Sequence, residues 1–372
     1  GHSPRAPCRG GQAVRDEYAR FETVGTSRWG AGLPSGGDSQ LIFMQSAIDK
    51  MDPKVGRAAI IQNGSPLFTG NTASGESQIR KWMLEEDLIE AIIALPTDLF
   101  YNTGIQTYVW ILSKNKRPER KGKIQLIDAS KIFHKLRKAL GNKKNEITPE
   151  DRKQITELYV SFDQAESDLV QIHSNEEFIY REYTILQPLQ RSYAITEERI
   201  ELMIQKGTLN KIYDANKVFA YENSLEPLKD KERKALEEFY KNKEFFDELL
   251  TKLKAAIGDD VYLSEKEFMP IITAVLDGYD KKLIDKILEG LSKMDKKAEI
   301  KKDKKGNIIY DKETKDTELV KLEEDIKTYM TREVWPHIPD AMYFFEEDLT
   351  AKKKIIKTGA EIRSEERRVG KE

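Results

Sequence analysis

The residues best suited to chemistry lie in a short turn between two apolar runs, residues 88–95 and 107–112. The turn carries two aromatic residues and several small polar ones: Phe100, Tyr101, Asn102, Thr103 and Gly104. Displayed at a sheet edge, these side chains could stack on and hold a base that has left its duplex. Spacing alone favours the alternative, in which Phe100 and Tyr101 fill the core of a hairpin, because aromatic residues pack more often than they bind.

The sequence lacks the side chains that metal binding and thiol catalysis need. The four histidines are widely scattered, and Cys8 is the single cysteine. A structural zinc site takes four clustered ligands, and a Cys/His nucleophile needs a neighbouring pair, so the sequence predicts neither. The absence of a glycine-rich loop that would cradle a phosphate also argues against an unrelated nucleotide enzyme.

Two segments before the turn have sequence patterns typical of helices. Residues 40–51 place Leu41, Met44, Ile48 and Met51 on one face, which predicts an amphipathic helix. Ser74 has the residue type of an N-cap for a second helix over residues 76–85.

Strand signals alternate with these helices. Residues 57–62 are typical of a buried parallel strand that runs into a loop at Asn63 and Gly64. Residues 88–95, 107–112 and 124–127 predict three further strands. This order predicts an α/β fold that holds the second half of a doubly wound sheet, since nothing before residue 40 supplies a first strand and its glycine-rich turn.

Basic residues are concentrated just after the predicted sheet edge. Residues 113–123 read SKNKRPERKGK and residues 131–144 read KIFHKLRKALGNKK, and Thr148 and Pro149 then begin another helix. A charge run taken alone is most simply a solvated face. Lysine and arginine at the rim of a sheet could also neutralise phosphates.

Length and charge limit the class of protein. The 372 residues predict two units, and 62 Lys+Arg against 64 Asp+Glu give a net charge of -2. This balance excludes a globally basic nucleic-acid binder but not a local basic groove. No run approaches the roughly 20 apolar residues that cross a membrane. The first residues lack the apolar core of a secretory signal, so we expect a reduced cytosolic compartment.

The region from Ala194 onward is mostly rich in lysine and glutamate and predicts helices. Ser264 and Glu267 have the spacing of a capping box, and Gly306 and Asn307 predict the turn of a small exposed hairpin. The amphipathic helices would suit docking on a partner, and ordinary core packing explains the same pattern.

Four long segments carry a resemblance to a known family: residues 64–116 (GSPLFTGNTASGES through YVWILSKNK), 122–133 (GKIQLIDASKIF), 178–193 (FIYREYTILQPLQRSY) and 333–362. The chain resembles the modification (methyltransferase) subunit of type I restriction-modification systems, over roughly residues 14–362. The resemblance implies a Rossmann-like, S-adenosylmethionine-dependent domain that methylates the exocyclic N6 of adenine in double-stranded DNA. Such an enzyme must extrude the base, because N6 is otherwise held in the duplex.

The resemblance also implies site residues and partners. By position Phe100 would stack on the extruded adenine, with Tyr101 and Asn102 in the same pocket; Thr103 and Gly104 complete the turn, and Asn63 and Gly64 correspond to the family's loop after the fifth strand. The implied partners are double-stranded DNA, a specificity subunit that the distal region contacts, a second modification subunit and a restriction subunit, in a bacterial or archaeal cytoplasm.

Two family motifs are missing from these residues. Neither the glycine-rich cofactor motif nor the catalytic Asn-Pro-Pro-aromatic tetrad occurs, so we assign no catalytic, cofactor-binding or metal-binding residue. The tetrad holds the adenine amino group during attack on the methyl donor, so we expect these residues alone to be inactive.

Both ends differ in composition from the rest. Residues 1–13 look like a junction segment and residues 363–372 like a translated sequencing adapter, so we expect an incomplete gene product. Between them we predict a partial methyltransferase domain over residues 14–193 and a mainly helical region over residues 194–362. The alternative function is a protein or nucleic-acid interaction module without chemistry.

Overall fold

The structure is a computed structural model that describes residues 28–162 and 168–362. Our expectations for residues 1–13 and 363–372 lie outside the described residues. The chain forms two compact units. The first holds residues 28–162, 168–185, 316–339 and 343–362, and the second holds residues 186–315 and 340–342. We predicted a boundary after residue 193, whereas the structure divides the chain at Leu186 and returns two later segments to the first unit.

The first unit begins with a mixture of helices and strands. They are α1 (Gln40–Lys50), β1 (Arg57–Asn63), α2 (Ser65–Phe68), α3 (Gly75–Glu85), β2 (Ile89–Ala94), β3 (Thr107–Ser113), β4 (Lys123–Asp128), β5 (His134–Leu140), β6 (Lys143–Glu146), α4 (Pro149–Ser161) and β7 (Val170–Ser174). Short 3-10 helices lie at Pro118–Arg120 and Asn175–Phe178.

The remaining described elements follow in chain order. They are β8 (Ile179–Pro188), β9 (Arg191–Tyr193), α5 (Glu197–Gln205), α6 (Ala215–Glu222), α7 (Asp230–Ala255), α8 (Glu265–Val275), α9 (Lys281–Gly290), β10 (Ser292–Met294), β11 (Tyr310–Lys321), α10 (Ile326–Tyr329), β12 (Met342–Phe344) and β13 (Thr358–Ala360). Among the described residues, no helix is both long enough and apolar enough to span a membrane.

The principal sheet has five strands in the order β1-β3-β2-β4-β7. β3 is antiparallel to both β1 and β2, whereas β2 and β4 are parallel. β1 and β2 therefore run in the same direction with β3 between them, and the carboxyl ends of β1, β2 and β4 share one edge. The predicted α/β fold is confirmed, and the strands expected at residues 88–95, 107–112 and 124–127 are β2, β3 and β4.

The prediction that residues 57–62 form a buried parallel strand was wrong. β1 pairs only with β3 among the described strands, and that pairing is antiparallel. Its outward residues alternate with half-buried ones, and Ile61 is 54% exposed. The short apolar run is an edge strand here, which apolar composition does not reveal, because composition carries no information about how many neighbours a strand has.

The helices α1 and α3 cover one face of this sheet. Leu41, Met44 and Ile48 of α1 are buried in the cluster that also contains Ile79 of α3 and Trp110 of β3. Ser74 caps α3 by accepting a hydrogen bond from the Ser77 amide. Both helix predictions are confirmed, and their apolar faces explain why the chain folds back onto the sheet.

The other face of the sheet packs against α4. Ile93, Ile127 and Ile155 share a buried cluster there. Thr148 and Asp151 form a complete capping box at the start of α4, as the Thr148-Pro149 pair predicts.

The second unit is mainly helical, which confirms the expectation for the distal region. Its core joins Met203, Leu249, Phe268 and Ile287, each fully buried. Ser264 caps α8 through the Lys266 amide. The predicted turn at Gly306 and Asn307 is present in the second unit, where the Asp303 amide donates to the Asn307 carbonyl across a short hairpin.

Candidate functional site

The loop between β2 and β3 is a narrow, hydrogen-bonded turn at the carboxyl edge of the sheet. The Leu95 amide donates to the Thr107 carbonyl at 2.9 Å, and the Asp98 amide donates to the Gly104 carbonyl at 3.4 Å. Phe100 and Thr103 pair as an isolated bridge at the tip. The five residues of the turn are therefore presented as one structured unit.

Gly104 allows a close approach of the Asp98 side chain within this turn. A Cβ at this position would lie 2.6 Å from the Asp98 Oδ1. Asp98 itself has a positive φ of 57°, a conformation that non-glycine residues seldom adopt. The loop is therefore held in a tight geometry that local sequence preference would not choose.

The two aromatic side chains of the turn are displayed rather than packed. Phe100 is 36% exposed and Tyr101 is 60% exposed, and neither belongs to a buried cluster. Asn102 is also exposed, and Thr103 and Gly104 are half-buried. The alternative in which Phe100 and Tyr101 fill a core was wrong.

A β-hairpin formed by β5 and β6 braces the turn. The Asn142 amide donates to the Tyr101 carbonyl at 3.0 Å, and the Lys144 and Asn145 amides donate to the Asp98 carbonyl at 2.9 and 3.1 Å. The Asn145 side-chain amide also donates to the Thr97 carbonyl at 2.9 Å. These four bonds join two loops whose bonded residues are 41 to 48 positions apart in the sequence.

The contact between hairpin and turn depends on Gly141. Its φ is +64°, and a Cβ there would lie 2.8 Å from the Tyr101 carbonyl oxygen. Two cationic side chains follow directly: the Lys143 Nζ lies 5.5 Å from the Tyr101 ring centroid, and the Lys144 Nζ lies 3.8 Å from the Asp98 Oδ2. Positive charge is thus placed beside the exposed tyrosine.

Asn63 and Gly64 lie at the same edge of the sheet as the turn. Asn63 at the end of β1 is opposite Thr107, and Ala94 at the end of β2 is opposite Tyr108. A Cβ at Gly64 would lie 3.3 Å from the Tyr108 ring. The structure therefore brings all seven residues named from the sequence to one edge.

The Asn63 side chain makes hydrogen bonds within the fold. Its Oδ1 accepts from the Gln40 Nε2 and from the Ser65 amide, both at 2.9 Å, and its backbone amide donates to the Gln40 Oε1. Asp38 accepts from the Ser65 hydroxyl at 2.6 Å in the same network. These bonds fix the starts of α1 and α2 against the end of β1.

Arg80 is a positioning residue that sequence reasoning missed. It is fully buried on α3, and its guanidinium donates to the carbonyls of Pro66, Thr69 and Ala360 at 2.7 to 3.1 Å. The signal was available, because Arg80 lies three and four residues before Met83 and Leu84 on the buried face of the helix. Arg80 therefore fixes the segment after β1 through the carbonyls of Pro66 and Thr69.

The base of the hairpin is joined to α4 by an ion pair. The Nδ1 of His134 lies 2.9 Å from the Asp151 Oδ2. The hydrogen bond and the charge of Asp151 raise the pKa of His134. The Thr148 amide and then the His134 hydrogen bond lower the pKa of Asp151.

The residues that the structure describes contain no cluster of metal-ligating side chains. No group of three His, Cys, Asp or Glu in this part of the chain could hold a metal ion. The turn after β1 is the place where an α/β sheet would bind a nucleoside, but the Ser65 and Leu67 amides are bonded to Asn63 and Gly64. These two amides are therefore not free to bind a ligand.

The sheet and its braced loop define the class of protein: an α/β fold that displays aromatic side chains at the carboxyl edge of its strands. The model of the N-6 DNA Methylase family matches residues 15–201, about half of the chain. The chain belongs to this family.

Individual relatives come from bacteria and archaea. The chain is 36% identical over 105 residues to the type I restriction enzyme HindI methylase subunit of Haemophilus influenzae, covering 28% of this chain and 23% of that relative. It is 38% identical over 125 residues to the MjaVII methylase subunit of Methanocaldococcus jannaschii, covering 32% and 21%. The chain thus spans less than a quarter of the length of these curated relatives.

One solved structure with similarity is the type I restriction-modification system methyltransferase subunit from Streptococcus thermophilus. It is 30% identical to the chain, with a TM-score of 0.37, over 43% of this chain and 31% of that one.

Proposed function

We propose that this chain is part of the modification subunit of a type I restriction-modification system, which transfers a methyl group from S-adenosylmethionine to N6 of adenine in double-stranded DNA. The observation that carries the proposal is the exposed, braced turn around Phe100 in a chain of the N-6 DNA Methylase family. The subunit acts in the cytoplasm of a bacterial or archaeal cell.

The turn serves as the platform for the extruded adenine. An adenine outside the duplex loses its stacking partners, and an exposed aromatic ring replaces them. Phe100 provides this ring, while Tyr101 and Asn102 lie beside it and Thr103 adds a hydroxyl within the turn. The hydrogen bonds from the hairpin keep the turn in place before DNA arrives, which lowers the ordering cost of binding.

Residues other than the described ones bind the methyl donor and provide the catalytic hydrogen-bond acceptors. The Asn-Pro-Pro-aromatic tetrad is absent from the sequence, and the loop after β1 has its amides occupied. We therefore propose that the 372 residues alone do not transfer methyl groups.

The partners follow from the same assignment. A specificity subunit selects the DNA sequence, and a second modification subunit and a restriction subunit complete the assembly. Exposed apolar side chains in the second unit, Phe219 on α6 and Leu225 after it, support protein docking by that region.

The proposal is tested by removing the Phe100 ring from the complete subunit, assembled with its specificity subunit. We expect Phe100→Ala to lower the rate of methyl transfer by about tenfold or more, because stacking on one base contributes about 1 to 3 kcal/mol. The free energy of unfolding should change by less than about 1 kcal/mol, since the ring is partly exposed and outside the core.

Phe43→Ala is the matched control, because it removes the same ring from α1 at a position that is 63% exposed. Methyl transfer should be unchanged in this variant. Equal losses of stability and of activity in Phe100→Ala would show a packing role and contradict the assignment.

A further inference from the structure

The β5–β6 hairpin concentrates positive charge in a chain whose net charge is -2. Residues 131–146 contain six lysine or arginine residues and one acidic residue, Glu146. On α7, by contrast, lysine and glutamate are interspersed along the helix. The hairpin therefore differs from a mixed-charge solvated face such as that of α7, and residues 113–123 form a second basic run.

Most of this charge is exposed and has no acidic partner. The exposed cations are Lys131, Lys135, Arg137, Lys138 and Lys144. Among the residues that the structure describes, Lys144 pairs with Asp98, and the other four make no ion pair. Unpaired, solvated cations bind polyanions readily, because binding releases the counterions of the polyanion.

The hairpin has the form of a two-stranded ribbon that is held at both ends. Its tip, Gly141 and Asn142, lies against the Tyr101 carbonyl, and its base is held to α4 by His134 and Asp151. A two-stranded β-ribbon is narrow enough to enter the major groove of DNA or to follow its rim. The charges thus occupy a fixed place relative to the aromatic turn.

We propose that the β5–β6 hairpin is a DNA backbone-binding arm that holds phosphates of the strand beside the extruded base. The inference rests on the proposed function, because it takes the turn around Phe100 as the site of that base. Arg137 and Lys138 on β5 bind phosphate oxygens of the DNA. The four hydrogen bonds between the hairpin and the turn then fix the bound DNA strand relative to the aromatic ring of Phe100.

The experiment measures duplex binding by the 372-residue chain with charge-reversed variants. The variant R137E/K138E reverses two exposed cations that make no described ion pair. The control K121E/K123E makes the same change in net charge at the opposite edge of the sheet, where Lys123 begins β4. Fluorescence anisotropy with a labelled duplex gives Kd over a range of salt concentrations, and thermal unfolding confirms that each variant folds.

We expect R137E/K138E to weaken duplex binding by about tenfold or more and to reduce the slope of log Kd against log salt by about 2, one for each lost phosphate contact. The control should bind within about twofold of the unchanged chain, since distant surface charges are screened. Equal weakening in both variants would show a general charge effect and overturn the proposal.

Two other outcomes also overturn it. If R137E/K138E binds the duplex as tightly as the unchanged chain, the arm serves another partner, such as an acidic protein surface. If the unchanged chain shows no salt-dependent duplex binding, the hairpin is not a backbone-binding arm. Methyl transfer by the complete subunit is measured separately, so persistent methylation in R137E/K138E with unchanged affinity rejects the arm and leaves the proposed function standing.

Discussion

At the scale of single residues, buried or paired polar side chains hold the site in shape more than its exposed residues do. Arg80 shows this best, because three backbone carbonyls converge on one guanidinium inside the first unit. Two of them belong to the segment after β1, so Arg80 sets the path of that segment next to Asn63 and Gly64.

Replacement of Arg80 by methionine should destabilise the chain by about 3 kcal/mol or more, since it leaves buried carbonyl groups without donors. Urea unfolding of the 372-residue chain measures the change. Lys81→Met is the matched control on the same helix; its partner is the partly exposed Glu85, so a loss of no more than about 0.5 kcal/mol is expected. Similar losses in the two variants would refute the positioning role of Arg80.

The His134–Asp151 pair makes a pH-dependent contribution at the base of the hairpin. The pKa of His134 is raised above its ordinary 6.5, so the stabilisation is complete below about pH 6.5 and is lost as the pH rises through the folded-state pKa. The pKa of Asp151 is lowered from 3.8, so its stabilisation is present above that value and is lost as the pH falls through the folded-state pKa.

An NMR titration of the His134 ring checks this coupling. The midpoint should lie above 6.5 in the unchanged chain and return toward 6.5 in Asp151→Asn. Asp128→Asn, at the end of β4, removes a carboxylate that does not contact His134 and should leave the midpoint in place. A midpoint that is insensitive to Asp151→Asn would show that the ion pair does not form in solution.

Residue identity in the turn could be read from the sequence, but its environment could not. The types of Phe100, Tyr101 and Asn102 indicated a stacking site, while spacing favoured a core position that the structure does not show. Exposure depends on which other segment covers a loop, and here the hairpin bonds to the backbone of the turn and places Lys143 beside the Tyr101 ring. Local pattern contains no information about such a contact.

At the scale of elements, helix caps and the periodic spacing of apolar residues predicted the helices that have strong local sequence signals. α1, α3 and α4 form where Leu41, Ser74 and Thr148 indicate, since a helix with an apolar face and a capped end is locally consistent. The β5–β6 hairpin was recognised only as a basic stretch, because its register shifts between Lys135 and Leu140 and no alternation of apolar and polar residues remains.

The docking of the hairpin on the turn can be measured through Gly141. Gly141 and Gly122 both have φ near +65°, at +64° and +69°, but only Gly141 has a neighbour close to the missing Cβ. Gly122→Ala should cost about 1 to 2 kcal/mol, the penalty of the left-handed conformation alone. Gly141→Ala should cost at least about 1 kcal/mol more, because a Cβ 2.8 Å from the Tyr101 carbonyl oxygen forces the two loops apart.

Urea unfolding of both glycine variants gives this difference directly. Equal losses would mean that the hairpin tip does not press against the turn in solution. The brace would then not position Phe100, and the arm that we propose would lose its connection to the base platform.

At the scale of the whole molecule, the division into units depends on contacts that no local pattern encodes. Residues 316–339 and 343–362 return to the first unit, where β13 pairs with β8 and Ala360 accepts from Arg80. Sequence composition instead suggested one change of character near residue 194. Long-range pairing of this kind is decided by which apolar faces remain uncovered after local folding.

At this scale the near-neutral net charge still excludes a globally basic nucleic-acid binder. A net charge of -2 provides no attractive overall field for DNA, so the DNA contact that we propose has to come from local basic elements. The hairpin is such an element beside the turn, and exposed apolar residues lie in the second unit.

The central claim is that the gene carrying these residues encodes a subunit that methylates adenine at N6 in DNA. The most direct measurement is mass spectrometry of nucleosides from DNA of a methylation-free host that expresses the complete subunit with its specificity subunit. The account predicts N6-methyladenine, strongly reduced when the subunit carries Phe100→Ala. DNA without N6-methyladenine, or with a methylated cytosine instead, would contradict the account, and DNA binding without any methylation would favour a non-catalytic interaction module.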